Sequence, residues 1–548
     1  MCGIFACISK FGWTVATHDV LNEALNQIQS RGPDDTSKYI DDRVYLGFHR
    51  LMINDLSDHG KQPFHSDDGD THIMCNGEIF NYKELTSRHD IVLKSHSDCE
   101  IILELYRMHK KTSGAFESAC RVANELDGEF ACIIYDGDNL IAFRDPYGVR
   151  PLFYGLDDND RMFFASEAKS LVGLCSFVEQ FKPGHIMHID VEEKCITKYI
   201  QYSNELSKLT TFSTSLPTSF FENCIRELVI SAVKKRMMSD VPICALLSGG
   251  LDSSLVAAIL AAELKKTTDE PLHTFSIGLV GSSDTVYAEK AALHIGSKHT
   301  SVICTDQEFL DAIPEVIWAI ESYDVTTVRA SIGNYLVGKF IAKNTDFRVV
   351  FNGDYADEVM GGYLYFHNAP SALEFHKETI RLVTDIHYFD SLRSDRTISC
   401  HGLEARAPYS DKAFVDFYMR IPHELRMPSK TGVEKNLIRN AFSCIRADIL
   451  PSSILNRRKE AFSDGVSNAN TSWHEILQKY ADTKISDEYF VSEKKKFEHN
   501  APLTKEALIY RQIFELHFHT HEHMIPYGWM PKWVGNVSDP SARVLSMY

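Results

Sequence analysis

Short apolar runs interrupted by Gly, Asp and Asn fill the first two hundred or so residues of the chain. Thr71–Cys75 runs into Asn76-Gly77, and Phe130–Tyr135 into Asp136-Gly137, a pattern that predicts strands closed by hairpin turns. A stretch rich in Ser and Thr with few charges, Ser207 to Ser219, then breaks the pattern and predicts a linker. Beyond it Ser219 and Glu222 have capping-box spacing, and Ile225, Leu228, Val229, Ala232 and Val233 recur on one helical face, so a helix opens the second region. Three apolar runs, Val241–Leu247, His273–Leu279 and Arg348–Phe351, alternate from there with long helical patterns. That rhythm predicts a parallel α/β sheet. The boundaries read from it are 1–206 for the first domain, 207–218 for a linker and 219–548 for the second domain.

Composition narrows the function more than the fold. The chain has 548 residues, 44% of them hydrophobic and 24% charged, a globular balance with enough length for two to four domains of about 100–200 residues each. Its 57 Lys+Arg against 75 Asp+Glu give a net charge of −18. This excess repels phosphate backbones and anionic lipid, which disfavours a nucleic-acid or membrane-surface partner and leaves small molecules as the expected ligands. No apolar run approaches the roughly 18 residues of a membrane span, and the N-terminus lacks the basic region of a secretory signal. The 13 cysteines are odd in number, and several lie inside apolar segments such as Ile243-Cys244-Ala245. Buried thiols in a cytoplasmic protein are therefore expected, rather than a disulfide framework.

Chemistry first becomes legible where the run Pro242–Leu247 leads through Ser248-Gly-Gly-Leu-Asp-Ser-Ser254 into the apolar pattern starting at Leu255. Strand, loop and helix follow in order. Gly249 and Gly250 let the backbone approach an anion, Ser248, Ser253 and Ser254 supply hydroxyls, and the helix N-terminus adds partial positive charge. It is not a Walker A loop, which would carry Gly-x-x-x-x-Gly-Lys-Ser/Thr. Ser248–Ser254 resembles the pyrophosphate loop of the ATP pyrophosphatases, which adenylate a carboxyl or carbonyl oxygen and then displace AMP.

At the other end, Met1-Cys2-Gly3-Ile4 resembles the start of glutamine amidotransferases of the N-terminal-nucleophile class. Loss of Met1 gives Cys2 a free α-amine whose ordinary pKa, about 7.7 to 8.0, suits it as base for its own thiol. Arg31-Gly-Pro-Asp34, His49-Arg50-Leu51, Asn76-Gly77-Glu78 and Asp98 follow in that family's order. By resemblance Arg50 pairs with the carboxylate of glutamine, Leu51, Met52, Ile53 and Asn54 line its pocket, and Glu78 and Asp98 receive its ammonium group. The Asn76 amide and the Gly77 N–H form the oxyanion hole.

The remaining motifs, Tyr323–Ser331, Gly362–His367, Gly402–Pro408 and Arg458–Gly465, make the whole chain similar to the glutamine-hydrolysing asparagine synthetases. The fold implied is an α+β N-terminal-nucleophile glutaminase domain of layered β-sheets and helices, followed by an α/β parallel-sheet synthetase domain. The activity implied is ATP-dependent synthesis of L-asparagine from L-aspartate through β-aspartyl-AMP, with ammonia drawn from L-glutamine. Carried over residue by residue, Leu246 and Ile277 flank adenine, and Ser248, Gly249, Gly250, Asp252, Ser253, Ser254, Asn352 and Gly353 contact ATP. Asp252 and Asp357 hold Mg²⁺, Lys459 offsets charge on departing pyrophosphate, and Asp390 and Arg393 belong to the aspartate and intermediate site. Members of the family often dimerise, which makes a homodimer a state to test for.

One segment departs from that pattern. Where the family usually reads Ser-Gly-Glu-Gly-Ser-Asp-Glu, this chain reads Asn352-Gly-Asp-Tyr-Ala-Asp-Glu358. The glutamate that supports acyl-adenylate chemistry becomes Asp354, about 1.5 Å shorter in reach, and Tyr355 brings bulk where glycine is usual. The competing reading is a glutaminase with an impaired synthetase half.

Overall fold

The computed structural model describes residues 1–9, 13–430, 432–443, 449–460, 465–467, 471–535 and 537–541. Two compact units divide the chain. One comprises Met1–Asn204 with the short segments Met238–Val241 and Ser399–Glu404; the other comprises Glu205–Met237, Pro242–Ile398 and Ala405–Tyr548.

Two six-stranded sheets build the first unit. In one the spatial order is Phe177–Gln180, Phe153–Leu156, Met162–Ala165, Gly3–Ile8, Val44–Arg50, Asp35–Ile40; in the other it is Cys195–Gln201, His185–Asp190, Asn139–Arg144, Gly128–Asp136, Thr71–Ile79, Phe64–His65. Neighbouring strands are antiparallel throughout. Successive side chains on a strand point to opposite faces, and the cores follow that alternation. Ile4, Ala6 and Ile8 share one cluster with Met74, Ala131, Ile133 and Leu140 of the other sheet. Ile73, Cys75, Ile134 and Phe143 belong to a second cluster with Ile102, Leu105 and Val122, from the helices Ile101–Lys110 and Ala115–Glu125.

The expected turn at Asn76-Gly77 does not form. The strand Thr71–Ile79 runs straight through it, pairing Asn76 with Ala131 and Gly77 with Phe130. A Cβ at position 77 would stand 2.1 Å from the Glu129 carbonyl oxygen, so glycine serves close strand approach here and not a reversal. Asp136-Gly137 does close a hairpin, with Gly137 at φ +59°.

The second unit opens with the helix Thr218–Lys235, whose N-cap is Pro217 and makes no side-chain cap bond. Starting one residue early places Ser219 inside the helix, and the expected capping box is not made. Five strands form its sheet in the order Lys298–Cys304, His273–Leu279, Ile243–Leu246, Val349–Phe351, Glu404–Arg406, and the first four pair in parallel. From Ile243–Leu246 the chain adds two strands on one side, then returns to place Val349–Phe351 on the other. Strand order thus reverses between these two central strands, and the crevice beyond their C-terminal ends is where such sheets bind ligands. The helix Leu251–Leu264 packs behind it with ten consecutive buried residues, Leu251 to Leu260, as a helix apolar on every side must. Among the described residues no helix is long and apolar enough to cross a membrane.

Candidate active sites

Antiparallel pairing assembles the first site. Gly3 sits opposite His49, so residue 2 falls beside the residues leaving Val44–Arg50. The Leu51 N–H lies 3.5 Å from Cys2 Sγ, and the thiol lies 3.8 Å from the Leu51 carbonyl oxygen. Arg31 Nε donates to the Cys2 carbonyl at 2.9 Å. Burial pushes the Cys2 thiol up, while the terminal ammonium and Arg50 pull the other way. Met1 is itself 1% exposed, and burial brings its amine down to about 6.

Period-two alternation places Asn76 on the face of Met74, toward the sheet that carries Cys2, while Ile73 and Cys75 face the helices. Asn76 is fully buried, and among the described residues neither atom of its amide has a hydrogen-bond partner. A buried native amide left without a bond calls for an explanation, and a donor reserved for a ligand supplies one. Nearby, Asn54 Nδ2 donates to Glu78 Oε2 at 2.6 Å and to Asp98 Oδ1 at 3.3 Å, and Ile79 N donates to Asp98 Oδ2 at 2.6 Å. Burial lifts Asp98 to about 6 against the pull of the Ile79 N–H and Asn54. Arg50 donates to the carbonyls of Ser57, at 2.8 Å, and Asp55. Met52 N donates to Asp34 Oδ2 at 2.9 Å, and Ile53 is buried.

The second site is a cavity lined by Leu246, Ser248, Gly250, Asp252, Ser253 and Ile277 from the first two strand ends, by Asn352, Gly353, Asp354 and Asp357 from the third, and by Asp390, Arg393 and Lys459. Gly249 and Ser254 are not on its wall. Gly249, at φ +72°, backs onto Tyr287, where a Cβ would come within 2.3 Å of the backbone, and Ser254 is fully buried with no partner for its hydroxyl. The loop is held by Ser248 Oγ and Ser253 Oγ, 3.0 Å apart, and by the Ser248 N–H donating to Ser253 Oγ at 3.2 Å. The Gly353 Cα approaches it so closely that a Cβ there would lie 2.6 Å from Ser253 N.

Charge in this cavity is arranged around Asp357, whose Oδ2 lies 2.5 Å from Lys459 Nζ. Burial opposes ionisation of Asp357, but Lys435 and Lys459 outweigh it and hold the carboxyl well below the usual range. Burial likewise works against the charge of Lys459, and Asp357 and Asp252 reverse it, raising that ammonium's pKa. Asp252 Oδ1 is buried without a hydrogen-bond partner among the described residues. Two carboxylates, one with an uncommitted oxygen, are the hard donors that Mg²⁺ takes alongside substrate phosphate, so these residues fit that ion.

The departing segment is well ordered by its partners. Arg393 bridges Asp354 Oδ1, at 2.7 Å, and Asp390 Oδ1, at 2.9 Å. Asp354 Oδ2 is buried without a partner. Tyr355 is 2% exposed at φ +73°, a left-handed conformation that costs a non-glycine residue roughly 1–2 kcal/mol. That backbone geometry accounts for glycine in the usual family pattern.

Several participants escaped the sequence reading. Lys435 puts Nζ 2.6 Å from Asp252 and 2.5 Å from Asp357. Tyr363 donates to Glu358, whose carboxyl is pushed well up by burial and by the neighbouring Asp390 and Asp357. Arg457 joins Asp284, at 2.7 Å, to Glu460, at 2.6 Å, beneath the loop. In the motif Arg458–Gly465, residues 461–464 lie outside the described residues.

A two-sheet N-terminal-nucleophile layer with an N-terminal cysteine site, joined to a parallel sheet with a pyrophosphate-type loop, defines a glutamine amidotransferase coupled to an ATP-using synthetase domain. Comparison with known proteins agrees: the family model for a glutamine amidotransferase domain matches residues 1–212, and that for asparagine synthase matches 224–375 and 369–542. Similar relatives include the glutamine-hydrolysing asparagine synthetase of Gallus gallus, 43% identical over 524 residues that cover 92% of this chain and 91% of the relative. Those of Cricetulus griseus and Homo sapiens are 41% and 40% identical over 576 residues, covering 100% of this chain and 99% of each relative. The chain belongs to the glutamine-hydrolysing asparagine synthetase family.

Proposed function

We propose that residues 1–206 hydrolyse L-glutamine and residues 219–548 use the ammonia to convert L-aspartate to L-asparagine at the expense of ATP, with 207–218 as the connection. The orphaned Asn76 amide, buried on the Cys2 side of its strand, carries the first half of this reading. Cys2 Sγ attacks the carboxamide carbon, its proton passing to the Cys2 α-amine freed by loss of Met1. Asn76 Nδ2 and the Gly77 N–H receive the developing oxyanion. Arg50 binds the substrate carboxylate, exchanging its bonds to the carbonyls of Asp55 and Ser57, while Glu78 and Asp98 take the ammonium group and Leu51, Met52, Ile53 and Asn54 enclose the side chain. Ammonia leaves, and water releases glutamate from the thioester.

In the second site Leu246 and Ile277 sandwich the adenine. The Ser248–Ser254 loop, with Asn352 and Gly353, cradles the phosphates. The β-carboxylate of aspartate, held by Arg393 and Asp390, attacks the α-phosphorus, and pyrophosphate departs toward Lys459. Asp252 and Asp357 would hold Mg²⁺, which when bound supplies charge neutralisation on the phosphates. Ammonia then adds to the acyl carbon of β-aspartyl-AMP, its surplus proton goes to Asp354, and AMP leaves. The 13 cysteines, several of them inside apolar segments, support a cytoplasmic location, and the family resemblance a homodimer.

The test measures AMP and asparagine from ATP, Mg²⁺ and aspartate, with glutamine or ammonium supplied separately, for wild type and Cys2→Ala. Both nitrogen sources should serve the wild type and only ammonium the variant. Glutamate release without AMP under any condition would refute the synthetase half.

A further inference from the structure

The segment Asn352–Tyr355 and the helix Asp390–Ser399 are tied by three side-chain bonds. Arg393 holds Asp354 at 2.7 Å, Asn352 Nδ2 donates to Ser394 Oγ at 2.9 Å, and Tyr355 Oη lies 2.6 Å from Ser391 Oγ. The last two depend on residues at which this chain departs from its family: serine in place of Asn352 lacks the amide, and glycine in place of Tyr355 has no side chain at all. Tyr355 is buried, adopts a left-handed backbone conformation, and brings its phenol to Ser391 in the first turn of the helix. Ser391 directly follows Asp390 and lies two residues before Arg393. A hydroxyl–hydroxyl bond between buried groups is directional and, away from water, is not readily exchanged.

We propose that Tyr355 and Ser391 form a latch that positions Asp390 and Arg393 for aspartate, making Tyr355 a positioning residue. The inference rests on the reading of Asp390 and Arg393 as the aspartate site. Asp354 lines the cavity, and Arg393 reaches both Asp354 and Asp390 from one guanidinium. Tyr355 lines the same cavity, and its phenol is bonded to Ser391 Oγ on the helix. It acts through the first turn of the helix, so its loss should register in aspartate binding and leave nucleotide binding alone.

The experiment measures KM for aspartate and for ATP with ammonium as nitrogen source, so that the glutaminase does not enter. Tyr355→Phe keeps the ring and removes the bond; Ser391→Ala removes the partner; Ser391→Thr keeps the hydroxyl. Each of the first two should raise KM for aspartate about three- to tenfold, the expected loss of one buried hydrogen bond, and leave KM for ATP unchanged. The double variant should match either single one, and Ser391→Thr should retain wild-type behaviour. Arg393→Lys, measured alongside, should raise KM for aspartate further. If Arg393→Lys does so while Tyr355→Phe does not, the latch is wrong and the aspartate site stands. If Arg393→Lys leaves KM for aspartate unmoved, the aspartate site is wrong and the inference falls with it. Equal rises in both KM values for Tyr355→Phe would mean general loosening and would also overturn the latch.

Discussion

The ammonium of Lys435 lies 2.5 Å from Oδ1 of Asp357, and Asp252 Oδ2 is 2.6 Å away on its other side. One buried cation thus links the two carboxylates proposed to hold Mg²⁺. Lys435→Met leaves both charges without it, which costs about 3–5 kcal/mol at a buried site. A divalent cation can take over part of that role, so Mg²⁺ should raise the Tm of Lys435→Met more than that of the wild type. Thermal unfolding with and without Mg²⁺ checks this, and equal shifts would count against Asp252 and Asp357 as its ligands.

Asn76 gives a prediction in which activity and stability separate. Its amide has no bond to lose in the folded protein, so Asn76→Ala should not lower the Tm, since removing an unpaired buried polar group relieves a desolvation cost. Removing one oxyanion donor should still reduce kcat with glutamine about 10²- to 10³-fold. Activity with ammonium should be unaffected.

As the proposed receiver of the substrate ammonium, Asp98 should make glutamine binding depend on pH. Its carboxyl is raised to about 6 by burial, and only the ionised form attracts the substrate ammonium. As pH falls from 7 to 5 the group takes up a proton and that attraction is lost. Glutamine affinity of a Cys2→Ala variant, which binds without turnover, should therefore fall below about pH 6. Asp98→Asn should bind weakly at every pH with no such inflection, and an inflection that survives the substitution would assign the titration elsewhere.

The two loop glycines should differ sharply. Gly249 has φ +72° and no room for a Cβ, whereas an added Cβ at Gly250 first meets Ser248 Oγ at 3.3 Å, where φ is −74°. Gly249→Ala should destabilise by about 1–3 kcal/mol or more, as strain at a left-handed position does. Gly250→Ala should unfold close to wild type in a denaturant titration.

The sequence carries the strands of the parallel sheet and the loop Ser248–Ser254 because their information is local: an apolar run, a glycine pair and a helix start lie within a dozen residues. It carries the cysteine site because the motif order follows a known family. Lys435 left no such trace. Its carboxylate Asp252 is 183 residues away, and Glu434-Lys435 at the head of an amphipathic helix looks like any solvated pair until burial shows otherwise. The Asn76-Gly77 turn failed because turn propensity yields where both flanking runs already pair in register with a long neighbour. The capping box at Ser219 failed for a related reason, since Pro217 supports an earlier start. At Tyr355 the sequence displayed a departure in size, and only the backbone angle explained why glycine is the usual choice there.

The approach of Gly353 to Ser253 has a mechanical consequence. With backbone against backbone, there is no space for a side chain at position 353 between the loop Ser248–Ser254 and the segment that carries Asp354 and Tyr355. Ser391 and Arg393 tie that segment in turn to the helix Asp390–Ser399. A methyl group at position 353 would therefore act as a wedge, forcing the loop and the segment apart.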